Sequence, residues 1–246
     1  MAQTQRQRLR RTLLFFFFLI FPFTFIVMSP YLTVLGSADR IVSAGLLFWM
    51  IVFLLSFVTG RAFCGYACPL GAEQMLIDLV FKKPLVRIRW LPFARWVFWA
   101  GWGGVTLLLA VRAGGYERVD LLYHIGGFPF PLLSYVIFYS IVLSVLLISL
   151  LLGRRAFCAY FCFFSPLMMI GTRLKNALRY PSLHLEAEKG QCNQCRRCNI
   201  ECPRSLDVAG MVGTGDPASD ECILCGACVD TCPKGVLRYG WWWKVS

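Results

Sequence analysis

Two stretches near the C-terminus decide how the chain is read: Cys192-Asn193-Gln194-Cys195-Arg196-Arg197-Cys198-Asn199-Ile200-Glu201-Cys202-Pro203, and Cys222-Ile223-Leu224-Cys225-Gly226-Ala227-Cys228-Val229-Asp230-Thr231-Cys232-Pro233. Both follow C-x2-C-x2-C-x3-C-P. A [4Fe–4S] cube needs four thiolates. The tight run supplies three from one loop, and the fourth cysteine of each run ligates the other cluster. The spacing therefore assigns Cys192, Cys195, Cys198 and Cys232 to one cluster, and Cys222, Cys225, Cys228 and Cys202 to a second. Pro203 and Pro233 stop each run from continuing as helix. Zinc sites rarely use two identical four-cysteine runs, and disulfides do not account for the spacing. Residues 183–240 are expected to form a small α+β ferredoxin domain carrying both clusters.

The rest of the chain is of another kind. Of 246 residues, 58% are hydrophobic and 15% aromatic, and the mean hydropathy is +0.62. Long apolar runs and interfacial aromatics point to a membrane protein. The formal net charge is +12. Because the basic residues flank apolar runs, they read as topology signals and contacts to anionic lipid, not as a nucleic-acid surface. Twelve cysteines at cluster spacing favour a reducing face over a secreted disulfide scaffold.

Residues 1–182 are expected to form the membrane domain, a four-helix bundle with spans at 13–35, 41–60, 96–113 and 132–152. Arg6, Arg8, Arg10 and Arg11 precede the first span, and Pro22 would kink it. A signal peptide is the alternative there, but the run exceeds a typical signal core. Gly101, Gly103 and Gly104 in the third span would admit a close neighbour. A short helix is expected at 72–81, with Glu73 and Asp78 polar, and a basic connector at 173–179. The N-terminus, the 61–95 loop and the segment after Gly153 hold nearly all the basic residues. The opposite loops hold Arg40 and Arg118, with Arg112 at a helix edge. By the positive-inside rule both termini and the ferredoxin domain face the cytoplasm of a bacterial inner membrane.

The membrane part also repeats. Arg61-Ala62-Phe63-Cys64-x-Tyr66-x-Cys68 matches Arg155-Ala156-Phe157-Cys158-x-Tyr160-x-Cys162 in register. Each copy follows a helical hairpin, so a parallel duplication about an axis along the membrane normal is expected. That axis would bring Cys64, Cys68, Cys158 and Cys162 together at the cytoplasmic boundary. Small buried apolar cysteines would explain one such pair; two copies in one register favour a further iron–sulfur centre. The second copy lacks the proline that follows Cys68, its Pro166 coming later.

Paired Cys-x3-Cys motifs after transmembrane hairpins, followed by two cluster-binding runs, resemble the NapH/MauN type of membrane ferredoxin and the membrane parts of NosR and CcoG. The resemblance covers residues from about 41 to the end. It rests on Cys64, Cys68, Pro69, Cys158, Cys162 and the eight ferredoxin cysteines. It implies electron exchange between the quinone pool and a redox partner, as in a quinol dehydrogenase subunit. The likeness to CcoG allows a second reading, a maturation factor that reduces or assembles a metal centre in a partner enzyme. A transporter is disfavoured by the lack of charge within the span centres. Quinone chemistry needs a proton acceptor. His124 with Asp120 is one candidate, but it would lie a ~30 Å hydrocarbon core away from the clusters. His124 and His184 are the two histidines, so no bis-histidine haem bridges that distance. A quinone near Cys64 and Glu73 is better placed.

Overall fold

The computed structural model describes residues 4–123 and 131–242, the side chains at 26 and 131–134 excepted. His124 therefore lies outside the described residues. The N-terminal run is three helices, not one: α1 (Gln5–Leu19), α2 (Phe21–Met28) and α3 (Pro30–Ala38). Both prolines lie at helix starts, Pro22 in the first turn of α2 and Pro30 at the head of α3. Proline is tolerated there because its missing N–H would have no partner in any case. Ser29 caps α3 through the Tyr31 amide. α1 begins eight residues before the expected span because the arginine-rich segment is itself helical.

After α3 the chain forms β1 (Ile41–Ser43), then α4 (Ala44–Thr59). β1 pairs in parallel with β2 (Arg118–Asp120), which ties the two loops at that end together. Ser37 and Tyr116 share a hydrogen bond of 2.8 Å across the same junction. β1 uses up the start of the second expected span, so α4 has 16 residues, about 24 Å at 1.5 Å per residue. Among the described residues three helical stretches are long and apolar enough to cross a membrane, Phe21–Ala38, Pro92–Ala113 and Tyr135–Leu152; α4 is a shorter apolar helix. The second and third are α7 (Pro92–Ala113) and the described part of α8 (Pro131–Leu152). The glycines at 101, 103 and 104 do not seat a neighbour: a Cβ there would meet nothing within 4 Å. They lie on the open side of α7.

The cysteine motifs follow α4 and α8 as α5 (Ala62–Tyr66) and α9 (Ala156–Tyr160). Each leads into a second helix, α6 (Pro69–Val80) or α10 (Phe164–Leu178). The expected basic connector is thus the end of a 15-residue amphipathic helix. Its apolar face, Phe164, Met168 and Met169, is buried. Trp49 of α4 stacks on Phe164 with ring centroids 3.2 Å apart, and Cys64 and Cys162 pack at the edge of that cluster.

The C-terminal part comprises β3 (His184–Ala187), α11 (Arg197–Glu201), α12 (Val208–Thr214), α13 (Ala227–Thr231) and β4 (Leu237–Gly240). β3 and β4 pair antiparallel, with His184 opposite Gly240. α11 and α13 pack together, and one core of Leu185, Val208, Val212, Val236 and Leu237 includes Cys202 and Cys228.

Candidate iron–sulfur site

Each cysteine run is a loop followed by a single helical turn, and the fourth cysteine ends that turn. The C-terminal caps of α11 and α13 are Cys202 and Cys232. Because the two turns pack against each other, each fourth cysteine reaches the other run. One cavity, about 410 Å³ of empty space, is lined by Cys202, Cys222, Cys225 and Cys228. Another, about 370 Å³, is lined by Cys192, Cys195, Cys198 and Cys232. The remaining lining is mostly aliphatic, with Arg204 at the first and Arg196, Arg197 and Lys234 at the second. Burial, then neighbouring thiols, pushes the Cys222 thiol up to about 12. Among the described residues no three His, Cys, Asp or Glu side chains are close enough to hold a single metal ion. The thiols surround a space, as a polynuclear cluster requires.

The four membrane-side cysteines also come together. Burial raises the Cys64, Cys68 and Cys162 thiols, and in each case the charge of other members of the set raises them further. The contacts around them obey a pseudo-two-fold. Arg61 and Arg155 hold equivalent places in the repeat, as do Gly71 and Ser165, and Gln74 and Met168. Arg61 Nη2 donates to Ser165 Oγ at 2.7 Å; Arg155 reaches the equivalent place, where a Cβ on Gly71 would fall 2.7 Å from its Nη1. Gln74 Nε2 donates to Cys158 Sγ at 3.0 Å; in the opposite half Cys64 Sγ donates to Met168 Sδ at 3.3 Å. Arg61 and Arg155 are 1% and 2% exposed. Arg61 Nε and Arg155 Nε and Nη2 are buried without hydrogen-bond partners. Unpaired buried donors are costly, and an anionic thiolate-bound cluster among them would remove that cost. The donor set fits such a group.

One carboxylate bridges the ferredoxin part to this group of cysteines. Glu221, immediately before Cys222, bonds the guanidinium groups of Arg204, Arg95 and Arg61. Burial alone would raise its carboxyl, but the three arginines hold it well below the usual carboxylate range. Gly65, next to Cys64, lies against the backbone between Cys222 and Cys225; a Cβ there would fall 2.4 Å from the Ile223 carbonyl oxygen. The N-terminal helix closes the far side. Gln7 Nε2 donates to the Cys225 carbonyl at 2.9 Å and to Asp230 at 2.7 Å, and Arg6 lies over the Tyr239 ring.

The twelve cysteines that the sequence proposes as ligands lie in three groups, and the arginines that it marks as topology signals lie among them. Arg61 and Arg155 were legible as site residues, since they repeat in register with the cysteines. Glu221 and Gln7 carry no such signal. Glu73 is no solvated helix position: it is 6% exposed, its Oε2 has no hydrogen-bond partner, and burial pushes its carboxyl up to about 7. His184 is buried, its Nδ1 2.7 Å from the Ser182 carbonyl and its Nε2 3.7 Å from Glu186. It lies in the sheet, not in either cavity.

Residues 43–89 and 135–181 each match the family described as "4Fe-4S binding domain", and residues 191–237 match the "4Fe-4S dicluster domain". The chain thus carries 4Fe–4S ferredoxin-type domains and is similar to iron–sulfur electron-transfer proteins. It is 25% identical over 234 residues to the uncharacterized protein MJ0749 of Methanocaldococcus jannaschii, covering 90% of this chain and 83% of that one. It is 25% identical to YccM of Escherichia coli, assigned by its name to electron transport, over 82% of this chain and 57% of that one. Protein RdxA of Cereibacter sphaeroides is 24% identical over 77% of this chain and 44% of its own length. No solved structure matches.

Proposed function

We propose that the protein is a membrane-bound iron–sulfur electron-transfer protein that exchanges electrons between the quinone pool and a redox partner. Cys192, Cys195, Cys198 and Cys232 hold one [4Fe–4S] cluster, and Cys222, Cys225, Cys228 and Cys202 hold a second. Cys64, Cys68, Cys158 and Cys162 hold a further iron–sulfur centre across the repeat. When bound, such clusters supply one-electron transfer. The chain's own residues position and insulate them: Arg61 and Arg155 offset their negative charge, Gln74 orients Cys158, and Glu221 fixes the spacing between the two parts. α4 acts as a fourth, short span. With it, both termini and the ferredoxin part share the cytoplasmic side of the inner membrane. Glu73, buried on the helix after the first cysteine pair, is the proton acceptor for a quinone at that boundary.

The observation that carries this reading is the reciprocal set of contacts around the four membrane-side cysteines, one backbone contact away from the Cys222–Cys225 loop. The test is iron and sulfide content of the anaerobically purified full chain. Two clusters in the ferredoxin part account for about eight of each. The intact protein should exceed that, and Cys64→Ser and Cys158→Ser should each return it to about eight. Equal content in all three proteins overturns the bridging centre. Failure of a reduced short-chain quinol to reduce any cluster overturns the quinone assignment.

A further inference from the structure

We infer that the loop at Cys195, with the neighbouring turn at Lys234, is the docking surface for an acidic redox protein; this rests on the cluster assignment above. The two cysteine sets of the ferredoxin part are not equivalent in place. The set containing Cys222 is enclosed. Gly65 presses on its loop, Gln7 bonds the Cys225 carbonyl, and Glu221 beside it is held by three arginines. The set containing Cys192 faces outward. Among the described residues, none of the hydrogen bonds or ion pairs that tie this part to the helices comes from 192–198 or 233–235. All twelve cysteines are described, and Cys195 is the exposed one.

The surface around it is predominantly basic. Asn193, Cys195, Arg196, Arg197 and Lys234 are all exposed, and Arg196, Arg197 and Lys234 line the cavity of that cysteine set. No acidic residue occurs between Glu188 and Glu201. Glu188 is engaged by Arg238 at 3.1 Å. Asp207, also nearby and exposed, accepts from Asn199 at 2.7 Å, caps α12 and keeps its negative charge next to Arg196. Arg196, Arg197 and Lys234 over the outermost cluster, Arg196 also acting on the exposed Asp207 carboxylate, would steer a negatively charged partner to the point of shortest electron path. One electron leaves the donor's reduced centre and enters the acceptor's oxidised centre; no bond forms or breaks.

The test uses the holoprotein in nanodiscs of neutral phosphatidylcholine, with acidic flavodoxin as the probe and basic cytochrome c as its opposite. Arg196→Glu/Arg197→Glu/Lys234→Glu is compared with a control of equal charge change, Lys82→Glu/Arg89→Glu/Arg179→Glu. Iron content and the cluster EPR spectrum of each protein are recorded first. The face variant should bind flavodoxin about tenfold or more weaker, lose the salt dependence of binding, and reduce cytochrome c faster. The control should keep most of the affinity. If clusters are present and the two variants behave alike, the docking inference is wrong. If the wild-type EPR spectrum shows no cluster, the assignment beneath it fails instead.

Discussion

At the scale of single residues, one partly exposed anion faces three buried cations. Removing one partner from such a group leaves charge uncompensated in a poor solvent, which costs about 3–5 kcal/mol. Glu221→Gln should therefore loosen the ferredoxin part on the helices, read as faster proteolysis near residue 182 with the helices intact. Its pH dependence follows from the direction of its shift. Arginine holds the folded carboxyl low, so its stabilisation is full above the unfolded value of about 4.3 and is lost as pH falls below it. Docking should hold through neutral pH. Glu73 behaves oppositely. Its folded carboxyl is raised to about 7, so ionising it costs stability as pH rises from about 4.3 to about 7. A thermal midpoint that declines over that interval in the wild type should stay level in Glu73→Gln. Equal slopes in the two proteins would show that another group sets the decline.

At the scale of elements, the decisive contact is α5 on the Cys222–Cys225 loop. Gly65→Ala places a methyl group 2.4 Å from a carbonyl oxygen, and backbone on both sides leaves little to give. Overpacking of this kind costs about 1–3 kcal/mol. The two parts should separate slightly, and electron exchange between the membrane-side centre and the ferredoxin clusters should slow in freeze-quench EPR while iron content stays at the wild-type level. The cysteine runs made the ferredoxin part legible because ligand spacing is set by the cluster and hardly depends on the rest of the chain. α10 was not legible. Its buried face is carried by Phe164, Met168 and Met169, while Arg173, Lys175 and Arg179 gave its end the look of a connector. Lys175 belongs to the interior after all, its Nζ 2.7 Å from the Leu183 carbonyl. α4 was read too long because apolarity continues through β1, and composition cannot tell a short strand from a helical turn.

At the scale of the whole molecule, the repeat brings both cysteine pairs to one end of the helices, and β1 and β2 mark the other. Reporter fusions after Arg11, Arg89 and Ser246 should report cytoplasm, and one near Gly115 should report periplasm. A periplasmic signal at Ser246 would reverse the orientation. The repeat was visible in sequence as a motif, but its reciprocal contacts were not, since they join residues far apart in the chain whose pairing only folding decides. The Glu221 cage also carries a consequence for biosynthesis. Its cations come from positions 61, 95 and 204, and its anion from 221, so during synthesis the anion emerges last. Until then the three guanidinium groups have no carboxylate to bury against, and they must stay in water. The ferredoxin part can thus close over the helices only after Glu221 has been made. During that interval the cysteine end of the repeat stands open to whatever loads it.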